Sequence, residues 1–326
     1  MEKIIRIIFL IYPGFELLDL SGPAAVFSHA NSLSRKIKYQ VLIGSANGGL
    51  VNCSFGASLE TVRIDTIRFS TSDTVLVVGA EEVALRGAMK DVFLRKSIQH
   101  ASKSAARYGS VCVGAFLLGK AGLLDAKRAA THWMGNRKLQ TVFTNAQIET
   151  DALYVNDGRL WTSAGASSGI DMALAMLEQD QGSQLMAQVA KQLVVYAHRP
   201  GHQTQFSTTL IAQSAADGRF SDLASWLENQ VGRNITVADM AAQANLTERS
   251  FYRKFTASMG KTPASYFEDL RLQRAKLFLE AHEAVKVVAE KVGYQSESAF
   301  RSAFRRHFGI TPGHHNLMHS APSSKI

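Results

Sequence analysis

Cysteine is scarce. Of 326 residues only Cys53 and Cys112 carry a thiol. Two thiols cannot build a disulfide framework, and they fall short of a structural zinc site. No apolar run approaches the roughly 20 residues that a membrane helix needs. The apolar start, Ile4 to Tyr12, has the length of a strand. A signal-peptide cleavage pattern is also missing, so a cytoplasmic location is expected. Nothing in the pattern asks for a cofactor or a metal. Nor is the charge extreme: 36 Lys+Arg against 27 Asp+Glu leave a net +9, spread over both halves of the chain. That balance is compatible with a nucleic-acid partner but does not establish one. A case for DNA must rest on where the arginines stand. What is present in quantity is apolar surface, 46% of residues, enough for two domains at this length.

One passage occurs twice. Leu246-Thr247-Glu248-Arg249-Ser250-Phe251-Tyr252-Arg253-Lys254-Phe255 closes at Gly260-Lys261-Thr262-Pro263. Tyr294-Gln295-Ser296-Glu297-Ser298-Ala299-Phe300-Arg301-Ser302-Ala303-Phe304 closes at Gly309-Ile310-Thr311-Pro312. Phe251 and Phe300, Phe255 and Phe304, and Pro263 and Pro312 share one spacing, 49 residues. Each copy follows a short helix and a tight turn. The first short helix starts at Thr236 with Asp239 three residues on, the pattern of a reciprocal cap. The turns carry Asn245 and Gly293, residues that readily take a left-handed conformation. The second turn holds one extra residue, Gln295. Thr247 and Ser296 are the expected N-caps of the next helices.

In those helices the phenylalanines, four apart, share an inward face. The outward faces carry Arg249, Tyr252 and Arg253 in one copy, and Glu297, Ser298, Arg301, Ser302 and Arg305 in the other. Such faces suit the major groove, where Arg grips guanine and small polar groups reach base edges. Thr262 and Pro263 open a long connecting helix, Ala264 to Glu280, which would hold the two reading helices for successive major grooves about 34 Å apart. Two plain helical hairpins with solvated charge are the competing reading. The matched caps and turns speak against it.

The first two-thirds alternates strand-like and helical runs. Ile4–Leu10, Tyr39–Gly44, Thr74–Gly79, Ser110–Val113 and Arg159–Ser163 read as strands. Leu20–Asn31, Asp91–Tyr108, Ala115–Leu118 and Ser168–Leu177 read as helices. The alternation predicts a flavodoxin-like α/β sandwich with a largely parallel sheet, followed by an all-α domain of two helix-turn-helix units. Cys112, in Gly109-Ser110-Val111-Cys112-Val113-Gly114-Ala115, falls where a strand runs through small residues into a helix, the chemistry of a nucleophile elbow. The helix's positive end would favour a thiolate; the plain alternative is a buried strand cysteine. Asp19, between leucines at a strand-to-helix junction, either caps a helix or reaches the Cys112 mouth. His132 either approaches Cys112 from another loop or satisfies a core hydrogen bond.

The doubled C-terminal passage resembles the AraC/XylS family of transcription regulators over roughly Phe220 to Met318. The resemblance implies base contacts from both reading helices, the first dominating through Arg249 and Arg253. The first part resembles the PfpI-like, class I glutamine-amidotransferase-like superfamily, through Gly14 to Pro23 around Asp19 and the Cys112 elbow. Ala121–Asp125, Ala130-Thr131-His132-Trp133, Trp161–Gly165 and Gly169–Ala173 extend the match. GlxA-type regulators fuse these two domains in this order. Residues 1–197 are accordingly expected to be a sensor domain, 198–219 a linker and 220–326 the DNA-binding domain.

The resemblance implies a regulator that binds double-stranded promoter DNA as a homodimer and holds a small effector, an amino acid or a quaternary amine, near Asp19, Cys112 and His132. Hydrolytic relatives often carry His directly after the cysteine. Here that position is Val113, so the thiol lacks a placed base and a catalytic role is not expected. A cysteine hydrolase or hydratase fused to a DNA-binding module is the alternative; an architectural DNA binder without ligand is a third reading. His314, His315 and His319 lack a Cys or acid companion, and a frayed terminus is expected there rather than a metal site.

Overall fold

A computed structural model of the chain describes residues 3–34, 36–150, 152–195, 198–201, 205, 218–308 and 311–319. The chain divides into two compact units, Met1–Gln205 and Phe206–Ile326. Most of the stretch expected as a linker, residues 202–204 and 206–217, lies outside the described residues. Residues 198–201 and 205 pack on the first unit, which therefore reaches further than position 197.

The first unit is built on β1 (Lys3–Leu10), α1 (Leu17–Leu33), β2 (Ile37–Ser45), β3 (Gly49–Asn52), β4 (Ser58–Arg63), β5 (Thr74–Val77), α2 (Glu82–Lys90), α3 (Val92–Ser104), β6 (Arg107–Val111), α4 (Ala115–Lys120), β7 (Arg128–Ala129), α5 (Trp133–Val142), β8 (Gln147–Ile148), β9 (Tyr154–Asp157), β10 (Leu160–Ser163), α6 (Ser167–Gln181) and α7 (Ser183–Gln192). Eight strands form one sheet in the order β3-β4-β2-β1-β5-β6-β10-β9. Its centre, β2-β1-β5-β6-β10, is parallel throughout; the edges β3 and β9 run antiparallel to their neighbours. Numbered among themselves, these five central strands run 2-1-3-4-5, the flavodoxin-like order, with its topological switch point between β1 and β5, and β4 adds a short parallel pairing outside β2.

Alternation explains the two layers. Ile7, Phe9, Leu76 and Val78 face a core shared with Phe27 of α1, Met172 of α6 and Val189 of α7. Ile8, Leu10, Val75 and Val77 face the opposite core, with Leu85, Ile98, Leu117 and Leu139 of α2 to α5. Strands covered on both faces read as continuous apolar runs, which is why β1 and β5 are plain in the sequence.

Several boundaries differ from expectation, two of them near the elbow. The helix expected over Asp91–Tyr108 starts where Asp91 accepts a hydrogen bond from Leu94 N but stops at Ser104, because Ala105 is extended and Arg107 to Ser110 pair with β5. The strand expected over Ser110–Val113 stops at Val111, and Cys112 to Gly114 form a tight 3-10 turn.

The second unit contains α8 (Gly218–Glu228), α9 (Val237–Gln243), α10 (Glu248–Met259), α11 (Pro263–Glu280), α12 (Val285–Lys291), α13 (Glu297–Phe308) and α14 (Pro312–His319). Thr236 and Asp239 cap each other at the start of α9. Asn245 (φ 54°) and Gly293 (φ 78°) make the left-handed turns. Each is followed by the same bond, Leu246 N to Ala241 O and Tyr294 N to Ala289 O, both 2.9 Å. Thr247 and Ser296 accept from Ser250 N and Ala299 N. Phe251 and Phe255 are buried with Tyr266 and Leu270; Phe300 and Phe304 are buried with Leu272, Ala275 and Leu279. The long helix α11 is thus a spine with one core at each end.

The frayed terminus expected around the three histidines is corrected in part. Pro312–His319 is a helix, and His315 is buried with its ring 5.7 Å from that of Phe304. An apolar contact to Phe304 holds that turn down. The side chains of His314 and His319 and residues 320–326 lie outside the described ones. No described helix is long and apolar enough to cross a membrane, and no His/Cys/Asp/Glu group able to hold a metal occurs among the described residues.

Candidate functional site

The switch point puts the carboxyl ends of β1 and β5 beside those of β6 and β10, and four chain segments converge there. After β1 the chain turns through Gly14 into α1. Glu16 caps that helix by accepting from Leu18 N, which leaves Asp19 for another task. Asp19 is buried and is met by donors from three other segments. Gly79 N, just past β5, donates to Oδ2 at 3.2 Å. Ala166 N, just past β10, donates to Oδ1 at 2.8 Å. The Cys112 thiol, just past β6, also bonds to this carboxylate. Asp19 therefore reaches the Cys112 mouth and is not the cap.

Close approach shapes the walls. A Cβ on Gly79 would stand 2.7 Å from Asp19 Oδ2 and 2.8 Å from Cys112 Cβ. Cys112 itself adopts φ 59°, a strained value for a residue with a side chain, and Ala166 adopts φ 48°. The Cys112 turn is tied from the far side, where Thr131 Oγ1 donates to Cys112 O at 2.9 Å.

Of the two readings of Cys112, the electrostatics favour the buried neutral thiol. Burial, and after it the charge of Asp19, push the Cys112 thiol up, far from ionisation near neutrality. Burial also pushes Asp19 up, to about 6, although the donors from Ala166 and Gly79 oppose the shift. The pair is a neutral thiol donating to a carboxylate. The six-residue α4 does not reverse that order. Tyr12, buried nearby with its OH donating to Val78 O at 3.1 Å, is pushed up by burial and then by Asp19, so it stays a neutral phenol.

His132 takes neither role. It stands at the N-terminus of α5, half-buried, with its ring 5.6 Å from that of Trp133. Burial lowers its pKa and keeps it neutral. Among the described residues no hydrogen bond joins it to Cys112 or Asp19. Its neighbour Thr131 makes the link instead. An open cleft of about 700 Å³ along α5 is lined by Trp133, Asn136, Arg137 and Gln140. Sequence reasoning missed Gly79, Thr131 and Ala166. Only Gly79, closing the apolar run of β5, left a signal.

In the second unit the expected reading faces are turned outward. Arg249, Tyr252 and Arg253 of α10 are exposed, as are Ser298, Arg301, Ser302 and Arg305 of α13, while Glu297 is half-buried. Arg301 Nε donates to Glu297 Oε1 at 2.7 Å, one turn back on the same helix. Arg249, Arg253 and Arg305 hold no ion pair among the described residues. Arg306 bonds to Glu268 at 3.0 Å and fastens α13 to the spine.

Comparison with known proteins supplies the context. Residues 5–179 match the DJ-1/PfpI family, and residues 240–316 match a helix-turn-helix domain. The HTH-type transcriptional regulator CdhR of Pseudomonas aeruginosa is 27% identical over 311 residues, which cover 93% of this chain and 89% of CdhR. Isonitrile hydratase of Pseudomonas putida is 31% identical over 199 residues, 60% of this chain and 80% of the hydratase. The crystal structure of a THiJ/PfpI family protein from Pseudomonas syringae superposes with a TM-score of 0.55 at 22% identity, over 75% of this chain and 90% of that one. This last similarity concerns the fold alone.

Proposed function

The chain belongs to the DJ-1/PfpI family and continues into a helix-turn-helix domain, and on that premise we propose that it is a transcription regulator that reads promoter DNA with α10 and α13 and senses a small molecule at the Asp19–Cys112 site. The observation that carries this reading is the second unit's construction. Two capped helices on one spine bury their phenylalanines and turn unpaired arginines outward. Similarity to CdhR along nearly the whole chain supports it. In this reading Arg249 and Arg253 donate to guanine edges, and Tyr252, Ser298, Ser302 and Arg305 complete the two faces. Asp19 and Cys112 line the effector site with His132 at its rim, and the effector is an amino acid or a quaternary amine. It acts by favouring the arrangement of a homodimer that fits the operator.

The test is selection of DNA from a random library by the full chain. Enrichment of one sequence is expected, with the Arg249→Ala and Arg253→Ala variants each relaxing preference at one position. A chain that retains fragments without any shared sequence is an architectural binder, and the reading fails. For the effector, thermal stabilisation by amino acids, quaternary amines and amides is measured with wild type and Cys112→Ser, and each stabilising compound is recovered and identified.

One observation favours a second reading, a cysteine-dependent hydratase or hydrolase: the similarity to isonitrile hydratase over 60% of the chain. The neutral thiol, and a His132 not bonded to it, count against acyl chemistry at Cys112. A compound consumed by wild type and returned intact by Cys112→Ser would establish the enzyme.

A further inference from the structure

The segment that leaves the first unit is fastened to both walls of the Asp19–Cys112 site. On one wall, Ala166 N holds Asp19, and the next residue begins α6. The first turns of α6 hold Arg199: its Nη2 donates to Ser167 Oγ at 2.8 Å, and Nε and Nη2 donate to Asp171 Oδ2 at 2.9 and 2.6 Å. Arg199 N adds a bond to Asp171 Oδ1 at 2.9 Å. Asp171 is buried, so the pairing works in a low dielectric and resists partial loosening. On the other wall, Thr131 Oγ1 holds the Cys112 carbonyl, and the carbonyl of Thr131 itself accepts from Gln205 Nε2 at 3.0 Å. The same Gln205 nitrogen reaches Ala152 O at 3.1 Å, and Gly201 O accepts from Leu153 N at 2.7 Å.

Two features put this docking near balance. Among the described residues, buried Gln205 Oε1 has no partner, a cost that undocking removes. Ala166, the joint between Asp19 and α6, holds a left-handed conformation with a side chain. The Cys112 sulfur has no room to grow on that side, since even a Cβ on Gly165 would come within 2.8 Å of Sγ.

We propose that residues 198–201 and 205 are a latch through which the Asp19–Cys112 site controls the start of the connection to the helix-turn-helix unit. Added bulk at Cys112 displaces Gly165 and Ala166, shifts the first turn of α6 and releases Arg199. The proposal rests on the regulator reading and assigns the output of its sensor site.

The experiment uses the full chain and methyl methanethiosulfonate as the probe, which converts the Cys112 thiol to a methyl disulfide and expels methanesulfinate. Amide exchange is followed by mass spectrometry at Arg199 and Leu153, whose N–H groups make latch bonds. Modification is expected to speed exchange at both at least tenfold, and reduction of the disulfide to restore it. Coupling is reciprocal at equilibrium, so in exchange with dimethyl disulfide, which releases methanethiol, Gln205→Leu is expected to shift the equilibrium of Cys112 several-fold toward the methyl disulfide. Unchanged exchange at Arg199 and Leu153 with Cys112 fully modified overturns the latch. Equal acceleration at the amides of the β1–β2 ladder marks general loosening and overturns it too. None of these readouts uses DNA. Failure here leaves the regulator reading standing, and failure to select a DNA sequence leaves the latch standing.

Discussion

Gly165 lies against Cys112 so closely that any side chain at 165 would overlap the cysteine's own. Gly165 also takes φ +91°, a conformation open to glycine and costly to other residues. The elbow cysteine is thus boxed by backbone at Gly79 and Gly165 and by the Asp19 carboxylate.

Gly165→Ala is expected to lower stability by at least about 2 kcal/mol, from overpacking and a strained dihedral together. Urea denaturation checks it. Because the crowding is local to the first unit, reading-helix function should survive wherever the variant is folded.

Asp19 gives a pH signature. Burial pushes its pKa up to about 6, whereas an unfolded aspartate titrates near 3.9. The folded chain binds this proton more tightly than the unfolded one. The associated stabilisation is complete below about pH 4 and is lost as pH rises through about 6, a change on the order of 3 kcal/mol. Asp19→Asn does not titrate there, so its stability relative to wild type should improve across that window in urea melts. The variant also removes a charge that raises the Cys112 thiol, and alkylation at Cys112 should speed up.

Reading and folding separate cleanly in α10. Arg253→Ala should leave the melting temperature within about 1 °C, since exposed substitutions rarely matter, yet cost about 1–3 kcal/mol in operator affinity at one base position. Phe255→Ala, two residues on and buried in the first repeat's core, should cost about 3–5 kcal/mol of stability. Circular dichroism melts and fluorescence anisotropy with the selected DNA distinguish the two.

Glu297 restrains Arg301 on α13. Glu297→Gln frees that guanidinium and removes a carboxylate from the DNA-facing side. Affinity for any duplex should rise, and the slope of log affinity against log salt should steepen by about 1. A slope equal to wild type would mean that Arg301 never meets a phosphate.

The repeated unit was legible because its instructions are local. Caps at Thr236, Thr247 and Thr262, left-handed turns at Asn245 and Gly293, and phenylalanines four apart all act within one or two turns of chain. The central strands β1 and β5 are legible as apolar runs buried on both faces, and β2 as a shorter apolar run, Val41-Leu42-Ile43. The β3–β4 hairpin was not read, since Gly49–Asn52 and Ser58–Arg63 are short and largely exposed. The helices Glu82–Lys90, Trp133–Val142 and Ser183–Gln192 are not legible, because each fully buries only one or two apolar side chains. At the site, sequence placed Cys112 on its elbow and Asp19 beside it. It left the charge of the thiol open, because the burial and the carboxylate from a distant segment that outweigh a short helix are set by the fold. It named His132 where Thr131 makes the contact, a one-residue miss that only the path of the loop decides.

The repeat is doubled in backbone but not in chemistry. Where the first helix offers Arg249, Tyr252 and Arg253, the second offers Ser298, Arg301 and Ser302 at the matching positions. On the proposed reading, the two ends of one spine recognise different bases, so a single chain lies on DNA with a front and a back. Its binding site has a direction. Reversing that site without changing a base pair would exchange the flanks that the two helix-turn-helix units meet, and a promoter could use orientation alone to decide whether the regulator helps or blocks.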